Sequence, residues 1–247
     1  MLTRTLIIQM FLVTSAFSAE LSTVGSGALE VEVCKINLLK DVVRTFWRDI
    51  DGSYFAAIDR VVSRLSLQGE KLVCASNAGI YGKDLRPLGL YIENGRVFRF
   101  LNTRKEGYGN FYLQPNGVFW LTDTGAFIGT TDEVQTNWSQ LSTQIRFASQ
   151  SGPILFLEGR INANFTKGSE NRLTRNGVCI KSGNEFVLAK SRHPINFYDF
   201  STVLRDEAGC RDGLYLDGSI SELFPFGRPI VRADFGPMIG VVQPLSH

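Results

Sequence analysis

Alternation of hydrophobic and polar residues predicts the first strand of the chain over residues 29–38. Apolar side chains occupy odd positions up to Val33 and even positions from Ile36, so we expect an irregularity in the middle of this strand. Two short apolar segments, residues 71–76 and 214–216, predict further strands. The second of these is apolar throughout, which indicates a buried strand.

Residues 53–67 show the three- and four-residue spacing of apolar side chains that is typical of an amphipathic helix. Asp51 or Ser53 is suited to cap the start of this helix, because a short polar side chain can accept a hydrogen bond from the first turn. Gly69 follows the last apolar position, where glycine commonly ends a helix.

A second helix is predicted over residues 196–208, where the apolar residues again recur on one face. Asn196 is suited to cap its start, and Gly209 follows its end. Residues 131–138 predict a third, shorter helix.

Three asparagine and glycine pairs lie between apolar segments, and such pairs close two-residue hairpins because both residue types tolerate positive φ. The pairs are Asn94-Gly95, Asn116-Gly117 and Gly183-Asn184. No fixed-period repeat or Pro/Ser-rich linker divides the chain. We therefore predict a single α+β domain with a largely antiparallel or mixed, curved β-sheet, hairpins and two or three packing helices.

Charge and histidine content limit the chemistry of the chain. Its 26 basic and 24 acidic residues give a formal charge of +2, without the basic excess of a protein that coats nucleic acid. There are two histidines, and His247 is the last residue, which leaves His193 as the one expected to hold a defined place. A zinc site with several histidine ligands is therefore excluded.

The N-terminal segment, residues 1–19, reads as a secretory signal peptide with Arg4 before an apolar run and small residues after it. An uncleaved anchor is the alternative, but the apolar run is shorter than a bilayer-spanning helix. Removal of this segment leaves a charge of +1 and a predicted domain over residues 25–245. We expect a secreted or periplasmic protein without a membrane span in its mature form.

Four cysteines are spaced too widely for a CxxC metal or redox motif. In an exported protein they can form disulfides, and four cysteines allow three pairings. We predict a bond between Cys179 and Cys210. Free, buried thiols are the alternative.

Four loops have polar residues at the ends of apolar segments, and packing in the core does not readily explain these residues. These are residues 76–79, 150–153, 175–177 and 216–219. Each can be an ordinary turn. The sharper interpretation is that Asp217, held at the end of a buried strand, acts as an acid, nucleophile or metal ligand. Arg175 is correspondingly either a solvated charge or a bidentate phosphate contact.

The segments that combine into a recognisable pattern are Ser76-Asn77-Ala78-Gly79-Ile80-Tyr81, Pro87-Leu88-Gly89-Leu90-Tyr91, Asn110-Phe111-Tyr112, Pro115-Asn116-Gly117-Val118-Phe119, Gln150-Ser151-Gly152-Pro153, Arg175-Asn176-Gly177-Val178, Asn196-Phe197, Leu214-Tyr215-Leu216-Asp217-Gly218-Ser219-Ile220-Ser221 and Phe235-Gly236-Pro237-Met238-Ile239-Gly240. In this order they resemble the phosphodiester glycosidase domain family, and within it the secreted bacterial branch. The resemblance runs from about Leu72 to Val242. Family members often have a longer glycine run after the aspartate, where this chain has Ser219-Ile220-Ser221.

The resemblance implies a hydrolase that cleaves the glycosidic bond of a sugar-1-phosphodiester. The leaving group is a phosphate monoester, so neutralising its charge matters more than protonating it. Arg175 is the expected phosphate contact, with Arg86 as a second. Asp217 is the expected catalytic carboxylate, and Asp84 is preferred as the second one. Inversion or retention would depend on the distance between the two carboxylates.

The remaining substrate-binding residues are expected to contact hydroxyl groups or phosphate oxygens through amides, hydroxyls and backbone N–H groups. They are Asn77, Gly79, Gln150, Ser151, Gly152, Asn176, Gly218 and Ser219. The resemblance assigns no metal ligand and no certain cofactor. In an alternative version, Asn77, Asp84 and Asp217 share a hard cation such as Ca²⁺ or Mg²⁺.

Two other functions remain open at the level of sequence. A non-catalytic carbohydrate-binding protein could retain the same fold, although most of the 18 phenylalanines, seven tyrosines and three tryptophans belong to predicted strands. A serine esterase would use Ser151 with His193 as its base, but Ser151 lacks the flanking glycines of a nucleophile elbow. The expected partner is a carbohydrate phosphodiester, small or polymeric, and not nucleic acid.

Overall fold

The computed structural model describes residues 19–217, 220–226 and 234–245. Of the predicted signal peptide only Ala19 falls within these ranges, and the predicted site residues Gly218 and Ser219 lie outside them. None of the helices in these ranges is long and apolar enough to cross a bilayer.

Strands dominate the described part of the chain. In chain order they are β1 (Glu20–Val24), β2 (Val31–Asn37), β3 (Val42–Phe46), β4 (Glu70–Asn77), β5 (Tyr91–Glu93), β6 (Arg96–Arg99), β7 (Gly117–Thr122), β8 (Gly125–Thr130), β9 (Ile145–Ser151), β10 (Ile154–Leu157), β11 (Arg160–Ile161), β12 (Asn176–Ser182), β13 (Glu185–Ser191), β14 (Asp212–Asp217), β15 (Leu223–Phe224) and β16 (Met238–Pro244). The α-helices are α1 (Ile58–Leu67), α2 (Thr131–Thr136), α3 (Trp138–Leu141) and α4 (Phe197–Thr202).

Three antiparallel sheets are formed by these strands. The seven-stranded sheet has the order β1-β2-β13-β12-β14-β10-β11, the four-stranded sheet β15-β4-β16-β3, and the five-stranded sheet β6-β5-β9-β7-β8. Every strand pairing within them is antiparallel. The predicted class, a single α+β domain with antiparallel sheets and hairpins, is therefore confirmed.

The largest core lies where one face of each sheet meets the others. Phe186 of β13, Phe119 of β7 and Ile239 of β16 are fully buried there. The rings of Phe119 and Phe186 are 5.3 Å apart. A disulfide between Cys34 and Cys74 joins β2 to β4 in the same core. Burial of apolar side chains from all three sheets makes them one cooperative unit.

The opposite face of the seven-stranded sheet is covered by α4 and the π-helical turn that follows it. Phe200 and Leu204 of this segment are buried against the sheet. The predicted disulfide between Cys179 and Cys210 is present and ties β12 to the loop before β14. Asn196 caps α4 as predicted, since its side chain accepts a hydrogen bond from Asp199 N at 2.8 Å.

The first helix is shorter than its sequence pattern predicts. It begins at Ile58 rather than at residue 53, and Ala57 occupies the N-cap without a side-chain hydrogen bond. The predicted cap at Asp51 or Ser53 is wrong because Asp51 instead binds Ser53 within a preceding turn, through both the backbone and the hydroxyl of Ser53.

Two expectations about strands are also corrected. The irregularity predicted for β2 is wrong, because β2 pairs in continuous register with β1 and β13. Its change of hydrophobic phase reflects burial on both faces, as Val31 to Cys34 are all buried. The Asn116-Gly117 pair does not close a hairpin, since the segment before it is a 3₁₀ turn at Asn110–Tyr112 and β7 pairs with β8 and β9.

The other two predicted hairpins are confirmed. Asn94 and Gly95 connect β5 to β6 with φ values of 50° and 75°. Gly183 and Asn184 connect β12 to β13. In both cases the residue pair adopts the backbone angles of a tight turn at low conformational cost, so the local sequence determines the connection.

Candidate functional site

Several predicted site residues lie where strands from all three sheets end. Asn77 ends β4, Ser151 ends β9, Asn176 begins β12 and Asp217 ends β14. Asn176 and Asp217 are directly paired across neighbouring strands. The sequence places these residues far apart, and the sheet topology brings them together at one edge.

Asn176 connects the strands at this junction. Its Nδ2 donates to Ser76 Oγ at 3.1 Å and to Asn77 Oδ1 at 3.0 Å. Its Oδ1 accepts a hydrogen bond from the backbone N–H of Asp217 at 2.8 Å. Because the side chain is fully buried, these bonds replace all contact with water. Asn176 is thereby a residue that positions Asp217.

Asn77 is occupied in a similar way. Its Nδ2 donates to the carbonyl oxygen of Ile220, and its Oδ1 accepts from Glu222 N at 3.0 Å as well as from Asn176. Ser151 is also buried, and its hydroxyl donates to the carbonyl oxygen of Leu216 at 2.8 Å. Direct binding of a sugar by these side chains, which the sequence predicts, would require breaking bonds within the protein.

Asp217 itself is 7 % exposed. Burial raises the pKa of the Tyr81 phenol well above its ordinary value, and the charge of Asp217 raises it further. The same two causes act on the pKa of Tyr215. The Asp217 carboxylate therefore lies close to two phenol groups, one from the loop after β4 and one from its own strand.

A second acidic residue, Asp234, is in contact with Tyr81 through its backbone. The Tyr81 hydroxyl donates to the backbone oxygen of Asp234 at 3.2 Å, and the charge of Asp234 contributes to the raised pKa of this phenol. Asp234 lies in the segment that leads into β16 and is exposed to solvent. The charges of a buried and an exposed carboxylate thus both act on Tyr81.

Arg175 lies one residue before β12 and is 1 % exposed. Its Nε donates to Ile195 O at 2.8 Å, and one Nη donates to Asn171 O at 3.0 Å. The guanidinium packs on the Phe197 ring, 3.6 Å from the centroid. Burial lowers the pKa of the guanidinium from its ordinary value. The other nitrogen, Nη1, makes no hydrogen bond of good geometry, and the Tyr215 hydroxyl is its neighbour.

Tyr215 is the neighbour of this nitrogen. Its ring meets Phe197 edge-on at 4.9 Å, and its buried hydroxyl has no hydrogen-bond partner of good geometry. Arg175 and the side chain of Asn110 approach closely enough to lower the pKa of the phenol, against the larger effect of burial. Two adjacent buried polar atoms that make no hydrogen bond of good geometry indicate a place for a polar ligand group.

Asp84 and Arg86 lie in a different place. Both side chains are mostly exposed and face each other within the loop after β4, with an ion-pair distance of 3.6 Å. The backbone N–H of Arg86 also donates to Asp84 Oδ1 at 3.2 Å. The structure therefore groups these two predicted residues with one another and does not bring them to Arg175.

Gln150 holds three segments together. It is buried, its Oε1 accepts from Leu90 N at 3.0 Å and Asn102 N at 2.9 Å, and its Nε2 donates to Asn102 O at 2.8 Å and Thr131 Oγ1 at 3.0 Å. All of its polar atoms thus have protein partners.

Gly79 and Gly152 are sites of close approach. A Cβ at Gly79 would lie 2.3 Å from Ser149 Oγ, and one at Gly152 would lie 2.7 Å from the Cβ of Asn116. Any contact that these glycines make with substrate would be through the backbone.

The shared cation site considered from sequence does not form among the described residues. They contain no group of three or more histidine, cysteine or acidic side chains suited to hold a metal ion. Asn77 uses its amide within the protein, and Asp84 faces Arg86. The Ser151 and His193 pair of an esterase is also separated, because Ser151 binds Leu216 O and His193 is exposed.

Sequence reasoning missed five residues of this site, which are Tyr81, Asn110, Phe197, Tyr215 and Asp234. Tyr81, Asn110 and Tyr215 lie within the segments that carry the family resemblance, so their presence there was a usable signal. Phe197 lies in such a segment as well, but it follows the helix cap and resembles an ordinary core residue. Asp234 directly precedes the last of these segments. Their proximity to Arg175 or Asp217 depends on tertiary contacts that no local pattern reveals.

Comparison with known proteins agrees with this architecture. A family model described as Phosphodiester glycosidase matches residues 70–228. The Escherichia coli (strain K12) protein named "Uncharacterized protein YigE" is 33% identical over 228 residues, which cover 92% of this chain and 87% of that protein.

Two solved structures share the fold. The catalytic domain of zebrafish N-acetylglucosamine-1-phosphodiester alpha-N-acetylglucosaminidase, auto-inhibited by its pro-peptide, has a TM-score of 0.58 at 12% identity and covers 91% of this chain and 82% of that one. A hypothetical protein from Synechocystis has a TM-score of 0.51 at 13% identity, covering 90% of this chain and 61% of that one. The family match and the relative at 33% identity establish membership, and the chain belongs to the phosphodiester glycosidase family.

Proposed function

We propose that this protein is an exported hydrolase that cleaves the glycosidic bond of a sugar-1-phosphodiester, in an envelope or extracellular glycoconjugate. One observation carries the proposal: Arg175 Nη1 and the Tyr215 hydroxyl are buried and adjacent, neither makes a hydrogen bond of good geometry, and the charge of Asp217 acts on the same phenol. An arginine nitrogen and a phenol are both donors, and together they suit an oxygen of an anionic phosphate.

The chemistry follows from the leaving group. The bond between the anomeric carbon and the phosphate oxygen breaks, its electron pair leaves with the phosphate monoester, and water supplies the new hydroxyl of the sugar. Arg175 and Tyr215 stabilise the charge that grows on the phosphate. Asp217 stabilises the positive charge that develops at the anomeric carbon, or bonds to that carbon covalently.

A second carboxylate would take the proton of the attacking water. The geometry supports Asp234 better than Asp84 for this role, because Asp234 shares Tyr81 with Asp217 whereas Asp84 is paired with Arg86. An exposed carboxylate is also accessible to water.

The decisive experiment is a product assay on a panel of sugar-1-phosphodiesters, with and without chelator, using the full protein and Asp217→Asn. We expect loss of turnover by roughly 100-fold or more, since a carboxylate at the reacting carbon is removed. Asp123→Asn, at an exposed position paired with Arg146, is the control for the loss of a charge. Near-full activity of Asp217→Asn would overturn the mechanism.

The choice between the two candidate bases is tested by a matched pair. Asp234→Asn should reduce turnover and displace the acid limb of the pH–rate profile. Asp84→Asn should leave turnover and the pH–rate profile unchanged. The reverse result would restore Asp84 as the second carboxylate and remove Asp234.

Export is supported by the two disulfides, Cys34–Cys74 and Cys179–Cys210, because such bonds persist in oxidising compartments. The backbone N–H of Ala19 donates to the carboxylate of Asp41 at 3.0 Å. Cleavage after Ala19, which the predicted signal peptide of residues 1–19 implies, would remove this contact and leave Glu20 as the N-terminus. Mass measurement of the chain recovered from the medium or periplasm tests export and signal-peptide cleavage. An intact chain that is retained in the cell would contradict both.

A non-catalytic carbohydrate-binding protein is the second candidate. The observation in its favour is the deep burial of Arg175, which is 1 % exposed. Calorimetry with glycans that shows binding without any cleavage would support this function over hydrolysis.

A further inference from the structure

Residues 96–112 form a basic segment that runs from β6 to the 3₁₀ turn before β7. The segment has four basic residues and one acidic residue, so its net charge exceeds the +2 of the whole chain. Lys105 is paired with Asp132 at 2.8 Å. The other three basic residues are exposed and form no ion pair with any residue that the structure describes; they are Arg96, Arg99 and Arg104.

The basic segment is attached beside the candidate site at two points. The first is Asn102, whose backbone N–H donates to Gln150 Oε1 at 2.9 Å and whose backbone oxygen accepts from Gln150 Nε2 at 2.8 Å. Gln150 directly precedes Ser151, and the hydroxyl of Ser151 donates to the backbone oxygen of Leu216. Two hydrogen-bonded steps therefore connect the segment to the residue before Asp217.

The second attachment is Asn110. Its side chain approaches the Tyr215 phenol closely enough to lower the pKa of that hydroxyl, against the larger effect of burial. The other end of the basic segment, β6, lies at the edge of the five-stranded sheet. The three arginines are therefore distributed between a sheet edge and the residues that we assign to the phosphate.

The arginines are held apart from one another. Arg96 and Arg99 are three residues apart in β6, which corresponds to about 10 Å along a strand. The Arg96 guanidinium packs on the Phe98 ring, 5.0 Å from its centroid. That of Arg104 lies over the Tyr112 ring at 5.8 Å. A single phosphate cannot contact cations that are separated and held in this way, whereas a chain with several phosphates can.

Two aromatic side chains of the basic segment are exposed as well. Phe100 is 76 % exposed, and Tyr108, two residues before Asn110, is completely exposed. An aromatic ring offers a large apolar surface that can pack on the C–H face of a sugar. Arginines donate charge-assisted hydrogen bonds to phosphate oxygens. Cations and rings along one segment therefore fit a chain in which sugars alternate with phosphates.

We propose that the basic segment binds a polyanionic chain, and that the substrate is a polymer in which phosphodiesters recur between sugar units. The phosphate beside the cleaved bond lies at Arg175 and Tyr215, and the three arginines of the segment contact other phosphates of the same chain. Phe100 and Tyr108 pack on sugars between them. The inference rests on the proposed function for the bond that is cleaved, and it adds the substrate class.

An anionic bilayer is another partner that basic and aromatic residues bind. The attachments at Asn102 and Asn110 favour the polymer, because they join the cations to the site that would hold a phosphodiester. Vesicles of phosphatidylglycerol are therefore included in the test as the competing partner.

The test is direct binding, measured by calorimetry on full-length Asp217→Asn so that the ligand is not consumed. The probes are a linear polymer of hexose 1-phosphate units, the methyl diester of hexose 1-phosphate as the single unit, and dextran as an uncharged polymer. At equal phosphate concentration and low salt, we expect the polymer to bind roughly tenfold or more tightly than the single unit, with an affinity that falls as salt is added. Dextran should not bind measurably.

A matched pair of variants locates the binding surface. Replacement of Arg96, Arg99 and Arg104 together by glutamine should weaken polymer binding roughly tenfold or more and reduce its dependence on salt. The control replaces three exposed lysines outside the basic segment by glutamine, which are Lys40, Lys71 and Lys181. It removes the same charge and should bind the polymer as Asp217→Asn alone does.

Tyr108 supplies a second measurement that does not depend on charge. Tyr108→Ala should weaken polymer binding, whereas Tyr108→Phe should bind as tightly as the unmodified side chain, because the ring and not the hydroxyl makes the contact. Since this side chain is completely exposed, neither change should alter the melting temperature.

Three results would overturn the assignment. They are polymer binding no tighter than that of the single unit, equal polymer binding by the arginine and lysine variants, and binding of phosphatidylglycerol vesicles but not of the polymer through the same arginines.

Failure of the proposed function gives a different result. If the polymer binds with dependence on these arginines but the unmodified protein cleaves no phosphodiester, the polyanion-binding surface stands and the hydrolase does not. If single-unit diesters are cleaved with dependence on Asp217 while the arginine variant changes neither polymer binding nor the ratio of kcat/KM for polymer and single unit, the hydrolase stands and the polymer assignment fails.

Discussion

The side-chain carbonyl of Asn176 accepts a hydrogen bond from the backbone N–H of Asp217 at 2.8 Å. This bond fixes the end of β14 against the start of β12, while the amide nitrogen of Asn176 reaches Ser76 and Asn77 on β4. A single buried amide thus links the seven-stranded sheet to the four-stranded one. The position of the catalytic candidate depends on that link.

Asn176→Ala should therefore reduce stability. The change leaves the Asp217 N–H buried without an acceptor, and an unpaired buried group costs about 1–3 kcal/mol. Chemical denaturation should show this loss in the free energy of unfolding. Gln140→Ala, an exposed amide on α3, is the control and should remain within about 0.5 kcal/mol of the unmodified protein. Equal stability of the two variants would show that the link carries little energy.

Tyr215→Phe separates function from folding. The hydroxyl it removes makes no hydrogen bond of good geometry in the folded protein, so thermal stability should change little. Turnover of a sugar-1-phosphodiester should fall roughly 10- to 100-fold, because one donor to the phosphate is lost.

Tyr91→Phe is the matched control for that change. Its hydroxyl is also buried without a hydrogen bond of good geometry, but it faces Thr45 and Glu93 rather than Arg175. Tyr91→Phe should lower neither thermal stability nor turnover. An equal loss of activity in both variants would contradict a specific role for Tyr215.

Glu93 should make stability depend on pH. Burial raises the pKa of its carboxyl, against the hydrogen bond that the Thr45 hydroxyl donates at 2.5 Å. A raised pKa in the folded state means that the folded protein binds this proton more tightly than the unfolded chain does. Its contribution to stability is complete below the unfolded-state pKa and is lost as pH rises through the folded-state pKa.

Glu93→Gln should remove that loss. Relative to the unmodified protein, the variant should gain melting temperature at neutral pH, and the gain should shrink as the pH approaches about 4. Thermal melts across this range measure the difference. Glu106→Gln, at an exposed position, should show no such trend. A gain that grows toward low pH would contradict the assigned direction of the pKa shift.

Replacement of both Cys179 and Cys210 by alanine should lower stability by about 2–5 kcal/mol, since the bond closes a chain segment whose ends are 31 residues apart. Denaturation of the variant under oxidising conditions measures the loss. The unmodified protein treated with reductant should approach the same stability, with a further decrease from opening Cys34–Cys74. Insensitivity to reductant would mean that the disulfides add little to the folded state.

Local patterns in the sequence predict the local features of the fold. Asn94-Gly95 and Gly183-Asn184 close hairpins, Asn196 caps a helix, and Asp217 ends a buried strand, as the residue pattern predicts. Each depends on neighbours a few residues away, so the pattern of side chains contains the information. The predicted helix start at Asp51 or Ser53 was wrong because these two residues bond to each other in a local turn instead of capping the helix.

The hydrogen-bond partners and the burial of the polar residues depend on tertiary contacts. Asn77 and Asn176 are 99 residues apart, and their mutual hydrogen bond uses amides that the sequence left available for a ligand. Tyr81 and Asp234, 153 residues apart, meet beside Asp217. Arg175 became a buried residue because α4 places Phe197 over it. A side chain's partners are set by which strands lie side by side, and that arrangement follows from burial of the whole core rather than from any local pattern.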